Sequence, residues 1–410
     1  MLALALCLTA AMDAGFAAGT RKVSAKEGIA VVEAEAALFS DGYKVTSVTL
    51  LYRKKIDPSS VTVDDYAIKG QTIKSVSVDG KKVTLSLNCD NRWYPEREDA
   101  PDDSANVSFG KYAEVTQKGD VSVSGSKEVY TGPAMVTSKK ISEPKIVKEF
   151  MEKDYKDDDT GVEVHYCVYL PLYYTEGWNY PCIVFIPDSR ATTNISKSCL
   201  LQGEGGTVWA TEAEQEKQKS IVIAIQYPKY VEDKYGPLVK EDGSWTPGLE
   251  AAYRAIRKEL SNARVDRERI YAVGQGEGAA ANFLIGQKYP GFYAAQLAIS
   301  PIYGLQDATA DALEREKLWI MTSSNDRQSC DAMEGAISYW KNDDIRVSVA
   351  EMSGVIQEFV GDDKVTLHVD LSGGRARQGE PPAHCVDKSA IVLRLFRPLT
   401  ALFKQMRCEY

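Results

Sequence analysis

Between Gly28 and Thr137 apolar and polar positions alternate over short stretches, the two-residue period of half-buried strands. Val48, Leu50 and Tyr52 fall on one face of such a strand. Val76 and Val78 lead into Asp79-Gly80, after which Val83, Leu85 and Leu87 alternate again, predicting a hairpin. No amphipathic helix of useful length interrupts this region, and Asn91 to Ser104, with its Asp and Pro residues, reads as a long loop. From Lys139 to Asp159 the chain becomes strongly charged and reads as a domain junction; Asp157-Asp158-Asp159 is expected as a solvated turn rather than a calcium loop.

An all-β sandwich of immunoglobulin type fits the first stretch best. From Gly161 onward strands alternate with helices, the pattern of a mostly parallel sheet covered on both faces. Strands are predicted at Val164 to Leu170, Cys182 to Ile186, Ile221 to Ile225, Ile270 to Val273, Gln296 to Ile299, Leu318 to Met321 and Arg346 to Ala350. The unbroken apolar runs Ile183 to Ile186 and Ile221 to Ile225 suit strands buried on both faces. Thr246-Pro247 is a helix start, and Leu249, Ala252, Tyr253, Ile256 and Leu260 then recur with helical spacing. A last helix is expected at Ser389 to Met406, kinked or divided by Pro398.

The most informative run is Arg269 to Gly278: a buried strand, a glycine-flanked sharp turn, then a helix opening on Ala279, Ala280 and Ala281. Strand, sharp turn and helix in that order form the elbow that presents the serine of a GxSxG hydrolase. Here the middle position is Gly276, which carries no hydroxyl to attack a carbonyl.

Several segments together resemble the secreted α/β-hydrolase esterases grouped with polyhydroxybutyrate depolymerases and prolyl-oligopeptidase-like hydrolases, in particular a bacterial subgroup with an N-terminal immunoglobulin-like domain. They are Thr160-Gly161 with Tyr166 to Pro171, Tyr180-Pro181 with Phe185 to Asp188, Trp209-Ala210 with Glu214-Gln215, Val265 to Tyr271 with the elbow, and Tyr289-Pro290 with Phe292 to Ala295. The resemblance spans roughly Gly161 to Gln405 and, more faintly, the preceding β region. It implies an α/β-hydrolase fold with the order nucleophile, acid, histidine. Carried onto this chain, Gly276 stands at the nucleophile position, Asp326 at the acid and His384 at the histidine. One oxyanion donor would be the backbone N–H of Glu277, the other an N–H from the loop after Ile186, around Asp188 and Ser189. The family often has methionine where Glu277 stands, and a carboxylate beside a developing oxyanion opposes acyl transfer.

Other candidates carry less. His368 reads as a strand histidine, His165 as structural, and Ser300, Ser323 and Ser324 lie outside the strained turn. Cys330 and Cys385 flank the implied acid and histidine, so a disulfide between them, two buried thiols, or a catalytic thiolate are the alternatives. With no CxxC pair and three histidines, neither a metal nor a cofactor is expected.

Met1 to Met12 is almost wholly apolar and is followed by small residues through Ala18, predicting a cleaved export signal over residues 1–18 and a secreted or periplasmic protein. Cys7 follows a bulky Leu6, which argues against a lipoprotein site. The expected domains are a β domain at 19–145 and a hydrolase domain at 146–410. Hydrophobic content of 44% and charged content of 26% are ordinary for a globular protein, and a net charge of −9 gives no basic footprint for nucleic acid or anionic membrane surfaces. The expected partners are a small ester-like ligand or a protein or carbohydrate, without an integral membrane segment, and self-association is left open. Besides a deliberately inactivated or otherwise altered version of a real esterase, two functional readings follow. In one, a catalytically impaired esterase homologue keeps its pocket for a ligand or partner. In the other, an active hydrolase of ester or peptide-like substrates uses a non-standard nucleophile or an activated water.

Overall fold

The computed structural model describes residues 20–39, 42–89, 113–139, 141–175, 177–302, 317–321, 328–329 and 331–332. The chain divides into two compact units, one of 1–34, 46–88 and 112–140, the other of 35–45, 89–111 and 141–410.

Among the described residues, the first unit is built of strands, with the one-turn helix Ala25–Gly28 and two short 3-10 turns between them. The expected hairpin pairs Ile73–Asp79 with Lys82–Leu87, Asp79 lying opposite Lys82, and Gly80 supplies the positive φ of +58° at the turn. Val48 faces Leu85 and Leu50 faces Val83 across the next pair of strands, and all four side chains are fully buried. Buried polar groups are paired in this core. The Tyr52 hydroxyl donates to Gln117 Oε1 at 2.6 Å and meets the Tyr66 hydroxyl at 2.9 Å, while Gln117 Nε2 donates to the carbonyls of Gly119 and Tyr130, each at 2.9 Å.

Among the described residues, the second unit carries a seven-stranded sheet. Its strands are β1 (Met151–Lys156), β2 (Glu163–Tyr169), β3 (Tyr180–Ile186), β4 (Ile221–Gln226), β5 (Val265–Gln275), β6 (Ala295–Ile299) and β7 (Lys317–Met321). They lie in the order β1-β2-β4-β3-β5-β6-β7, with β2 antiparallel to both its neighbours and the other pairs parallel. Every residue of β3 and of β4 is buried, as their unbroken apolar runs predict. Helices α1 (Glu212–Lys217), α2 (Lys229–Tyr235), α3 (Pro247–Asn262) and α4 (Glu277–Lys288) connect the strands. The Thr246 hydroxyl accepts from Leu249 N at 3.0 Å, Pro247 occupies the first turn, and Leu249, Ala252, Tyr253, Ile256 and Leu260 are all buried. Among the described residues no helix is long and apolar enough to cross a membrane.

The charged stretch before Gly161 holds more structure than its composition predicts. Within it lies β1, Met-Glu-Lys-Asp-Tyr-Lys, of whose residues four are exposed and two, Lys153 and Tyr155, half-buried. An edge strand pairs along one side only, so charged side chains there stay hydrated and mask the strand pattern. Asp157 is not solvated: it is fully buried, and its carboxylate accepts from Thr160 N at 2.9 Å, Thr160 Oγ1 at 2.6 Å and Arg254 Nη1 at 2.9 Å. Burial pushes its pKa up, but the hydrogen bonds from Thr160 and Arg254 outweigh that and hold it below the ordinary value. The predicted strand at Arg346 to Ala350 and the predicted last helix lie outside the described residues.

Candidate active site

The site forms where two neighbouring parallel strands end. Strands β3 and β5 pair in register through Ile186 and Gly274, so Asp188 and Gly276 each stand two residues beyond that pair, on the same edge of the sheet. The turn between β5 and α4 is tight because its glycines leave room for backbone. A Cβ at Gly278 would overlap the carbonyl oxygens of Ile186 and Pro187, and one at Gly274 would lie 2.5 Å from Ala279 Cα.

Gly276 has φ +57° and ψ −119° and caps the N-terminus of α4. This is a left-handed, strained conformation for any residue with a side chain. The peptide is fixed on both sides, Gly276 N donating to Ile299 O at 2.9 Å and Gly276 O accepting from Ala280 N at 3.3 Å. Ser300, the residue after β6, is buried and also has a positive φ of +46°. The strand, sharp turn and helix expected of an elbow are therefore present, with a residue that carries no side chain at the turn.

The space that a side chain on Gly276 would fill is taken by Asp188. A Cβ built on Gly276 would overlap Asp188 Oδ2, and would come within 2.9 Å of its Cγ and 3.4 Å of its Cβ. Asp188 is 6% exposed. Its Oδ1 is held by Arg190 N at 3.1 Å, by Gln202 Nε2 at 3.5 Å and by the Arg190 guanidinium at 3.9 Å. Its amide donates to Gln202 Oε1 at 3.2 Å, so the N–H expected as an oxyanion donor is engaged by a side chain. Ser189 begins the single 3-10 turn Ser189–Ala191 that Asp188 caps. The Asp188 side chain lying against Gly276 is the feature that sequence reasoning missed. The joint presence of a glycine at the elbow and a carboxylate two residues past the paired strand was the available signal.

Glu277, the first residue of α4, is 4% exposed, and its Oε1 accepts from Val239 N at 3.1 Å. Burial pushes its pKa up to about 7; the Val239 hydrogen bond opposes this, and the charges of Glu232 and Asp188 add to it. The carboxyl thus gives up much of its charge at neutral pH, which tempers the electrostatic penalty its identity implies.

Asp326 and His384 lie outside the described residues, as do Cys330, Cys385, His368, Ser323 and Ser324. His165 sits on β2, its Nδ1 paired with Asp154 Oδ1 on β1 and its Nε2 3.1 Å from the Tyr230 hydroxyl. Sequence reasoning also missed the meeting of Cys167 and Cys199, two buried free thiols whose sulfurs lie 3.8 Å apart. Among the described residues no group of three His, Cys, Asp or Glu side chains is gathered to hold a metal ion.

Among solved structures the chain is similar to a thermostable esterase, with a TM-score of 0.59 and 20% identity over 77% of this chain and 88% of that one. Fainter likenesses include a poly(3-hydroxybutyrate) depolymerase from Bordetella parapertussis, with a TM-score of 0.34 and 14% identity over 49% of this chain and 82% of that one. A CE1 ferulic acid esterase from Anaeromyces mucronatus has a TM-score of 0.35 and 15% identity, over 48% of this chain and 80% of that one. The chain matches no protein-family model and no curated protein. The strand order, the antiparallel second strand, the elbow after β5 and the likeness to the esterase together show an α/β-hydrolase fold.

Proposed function

We propose that this chain is an exported homologue of carboxylesterases in which serine-based acyl transfer has been lost at Gly276 while the pocket for a small ester-like ligand is kept. The observation that carries this reading is the elbow: φ +57° and ψ −119° at a residue without a side chain, with Asp188 Oδ2 in the space a serine would use. An elbow of that geometry serves to hold a nucleophile, and none is attached. In a serine protease, loss of the nucleophile costs on the order of a million-fold in turnover, or roughly 8 kcal/mol. The oxyanion hole and binding leave on the order of a thousand-fold over water. Asp326 and His384 are the acid and histidine of this reading, by their place in the sequence, and Glu277 supplies an oxyanion N–H. The β-rich first unit is read as an immunoglobulin-like sandwich.

A fluorophosphonate probe tests the proposal directly, because it forms an adduct only with an activated hydroxyl. The full chain is expected to remain unlabelled under conditions that saturate an ordinary serine esterase. Stoichiometric labelling on any serine of the parent would overturn the reading.

A further inference from the structure

The elbow lacks a serine oxygen, but it does not lack an oxygen. We propose that Asp188 is a general base at this elbow, delivering water to the carbonyl of a bound aryl ester. The inference rests on the reading of a hydrolase without its serine and gives the chemistry that the same site retains.

The two oxygens of Asp188 are used differently. Oδ1 is anchored by Arg190 N, Gln202 Nε2 and the Arg190 guanidinium, while Oδ2 has no hydrogen-bond partner among the described residues and lies against the elbow where a nucleophile's side chain would begin. Anchoring one oxygen fixes the direction of the other, the positioning that general-base catalysis requires. The carboxylate reaches this space because Gly276 has no Cβ; glycine at 276 and aspartate at 188 are therefore two halves of one arrangement.

Leaving-group chemistry selects the route. Direct attack by Oδ2 on an ester carbonyl would build a mixed anhydride, and the tetrahedral adduct would expel the carboxylate, a much weaker base, in preference to an alkoxide or phenolate. The adduct would collapse back to substrate. Through water the step is productive. The water oxygen bonds to the carbonyl carbon, and its proton passes to Asp188 Oδ2. The bond to the leaving oxygen then breaks, and the departing phenolate takes that proton as phenol. Ester and water become acid and phenol, and Asp188 returns to its starting form. A phenolate, with a conjugate-acid pKa of about 10, departs without a strong acid beside it, whereas an alkoxide does not. This assigns aryl esters as the substrate class.

The experiment uses the full chain with p-nitrophenyl acetate and phenyl acetate, and ethyl acetate as the alkyl control. The expected result is slow hydrolysis of both aryl esters, little of ethyl acetate, and a fall of roughly 10²–10⁴-fold in kcat/KM for Asp188→Asn, which keeps the side chain's shape. In Asp188→Gly, added formate is expected to restore part of the rate by refilling the vacated space, a response that a merely misfolded variant would not give. A single turnover in ¹⁸O-water is expected to place the label in acetate and none in the peptide containing Asp188. Label in that peptide would mean direct attack and would overturn the water route. An Asp188→Asn variant as fast as the parent, or a parent no faster than buffer, would overturn the proposal while leaving the serine-less reading intact. Fluorophosphonate labelling of the parent would instead bring down the reading on which it rests.

Discussion

The overlap between Gly276 and Asp188 makes a quantitative claim: the two positions are energetically coupled. Consider Gly276→Ala, which adds one methyl group. At φ +57° any Cβ costs about 1–2 kcal/mol. The same methyl overlaps Asp188 Oδ2 and lies 2.9 Å from Cγ, which adds an overpacking cost of roughly 1–3 kcal/mol. In an Asp188→Ala background both of those atoms are gone, and the remaining neighbour, the Cβ of residue 188, stands at an ordinary 3.4 Å. Asp188→Ala itself loses the cap on Arg190 N, about 1 kcal/mol, but that cost appears with and without the second change and cancels in the cycle. The double mutant is therefore expected to be more stable than additivity predicts by about 1–3 kcal/mol. For a domain of this size that is roughly 2–4 °C in Tm per kcal/mol. Thermal unfolding of parent, both single variants and the double variant measures it. If Gly276→Ala costs the same in both backgrounds, Asp188 does not occupy the elbow and the argument built on it fails. The same reasoning says that Gly276→Ser alone will not regain fluorophosphonate labelling, whereas Gly276→Ser with Asp188→Ala relieves the overlap and is the background in which labelling can return.

Two further outcomes follow from the same edge of the sheet. The folded-state pKa of Glu277, about 7, lies above its ordinary 4.5, so the stability that comes from keeping it neutral is complete below about pH 4.5 and is lost as pH rises through 7. That loss is on the order of 3 kcal/mol. Glu277→Gln, which keeps an acceptor for Val239 N, is expected to flatten this decline in urea midpoints between pH 4.5 and 8; parallel profiles for parent and variant would refute it. Gly278→Ala would drive a methyl into the carbonyls of Ile186 and Pro187, which are backbone and cannot swing aside, so it is expected to cost more than 3 kcal/mol or to abolish folding. Soluble expression and a Tm within 2 °C of the parent, by the same size scaling, would contradict that.

Elements with strong local signals were legible in the chain. The apolar runs of β3 and β4, the capped start of α3, the hairpin at Asp79-Gly80 and the strand-turn-helix at the elbow all appear where their residues predict. Strand β1 was not legible, because an edge strand with four of its six residues exposed carries no apolar period. Nor was Asp188's place: its amide can be assigned by position after β3, but the direction of its side chain depends on Gln202 and Arg190 and on the missing Cβ of Gly276. The burial of Asp157 was hidden for a similar reason, since its partner Arg254 is far along the chain. Periodicity reports the environment of a residue's own element, not the partner another element brings to it.

The positive φ at Gly276 also bears on how such a chain changes over generations. A serine held at that angle carries strain that a glycine does not, so exchanging one for the other releases about 1–2 kcal/mol and is easily retained. With a carboxylate in the side chain's volume, a change to serine at 276 alone would bear both the strain and the overlap. The pair therefore works as a lock: the elbow's backbone suits glycine, and Asp188 holds the volume that any side chain at 276 would need.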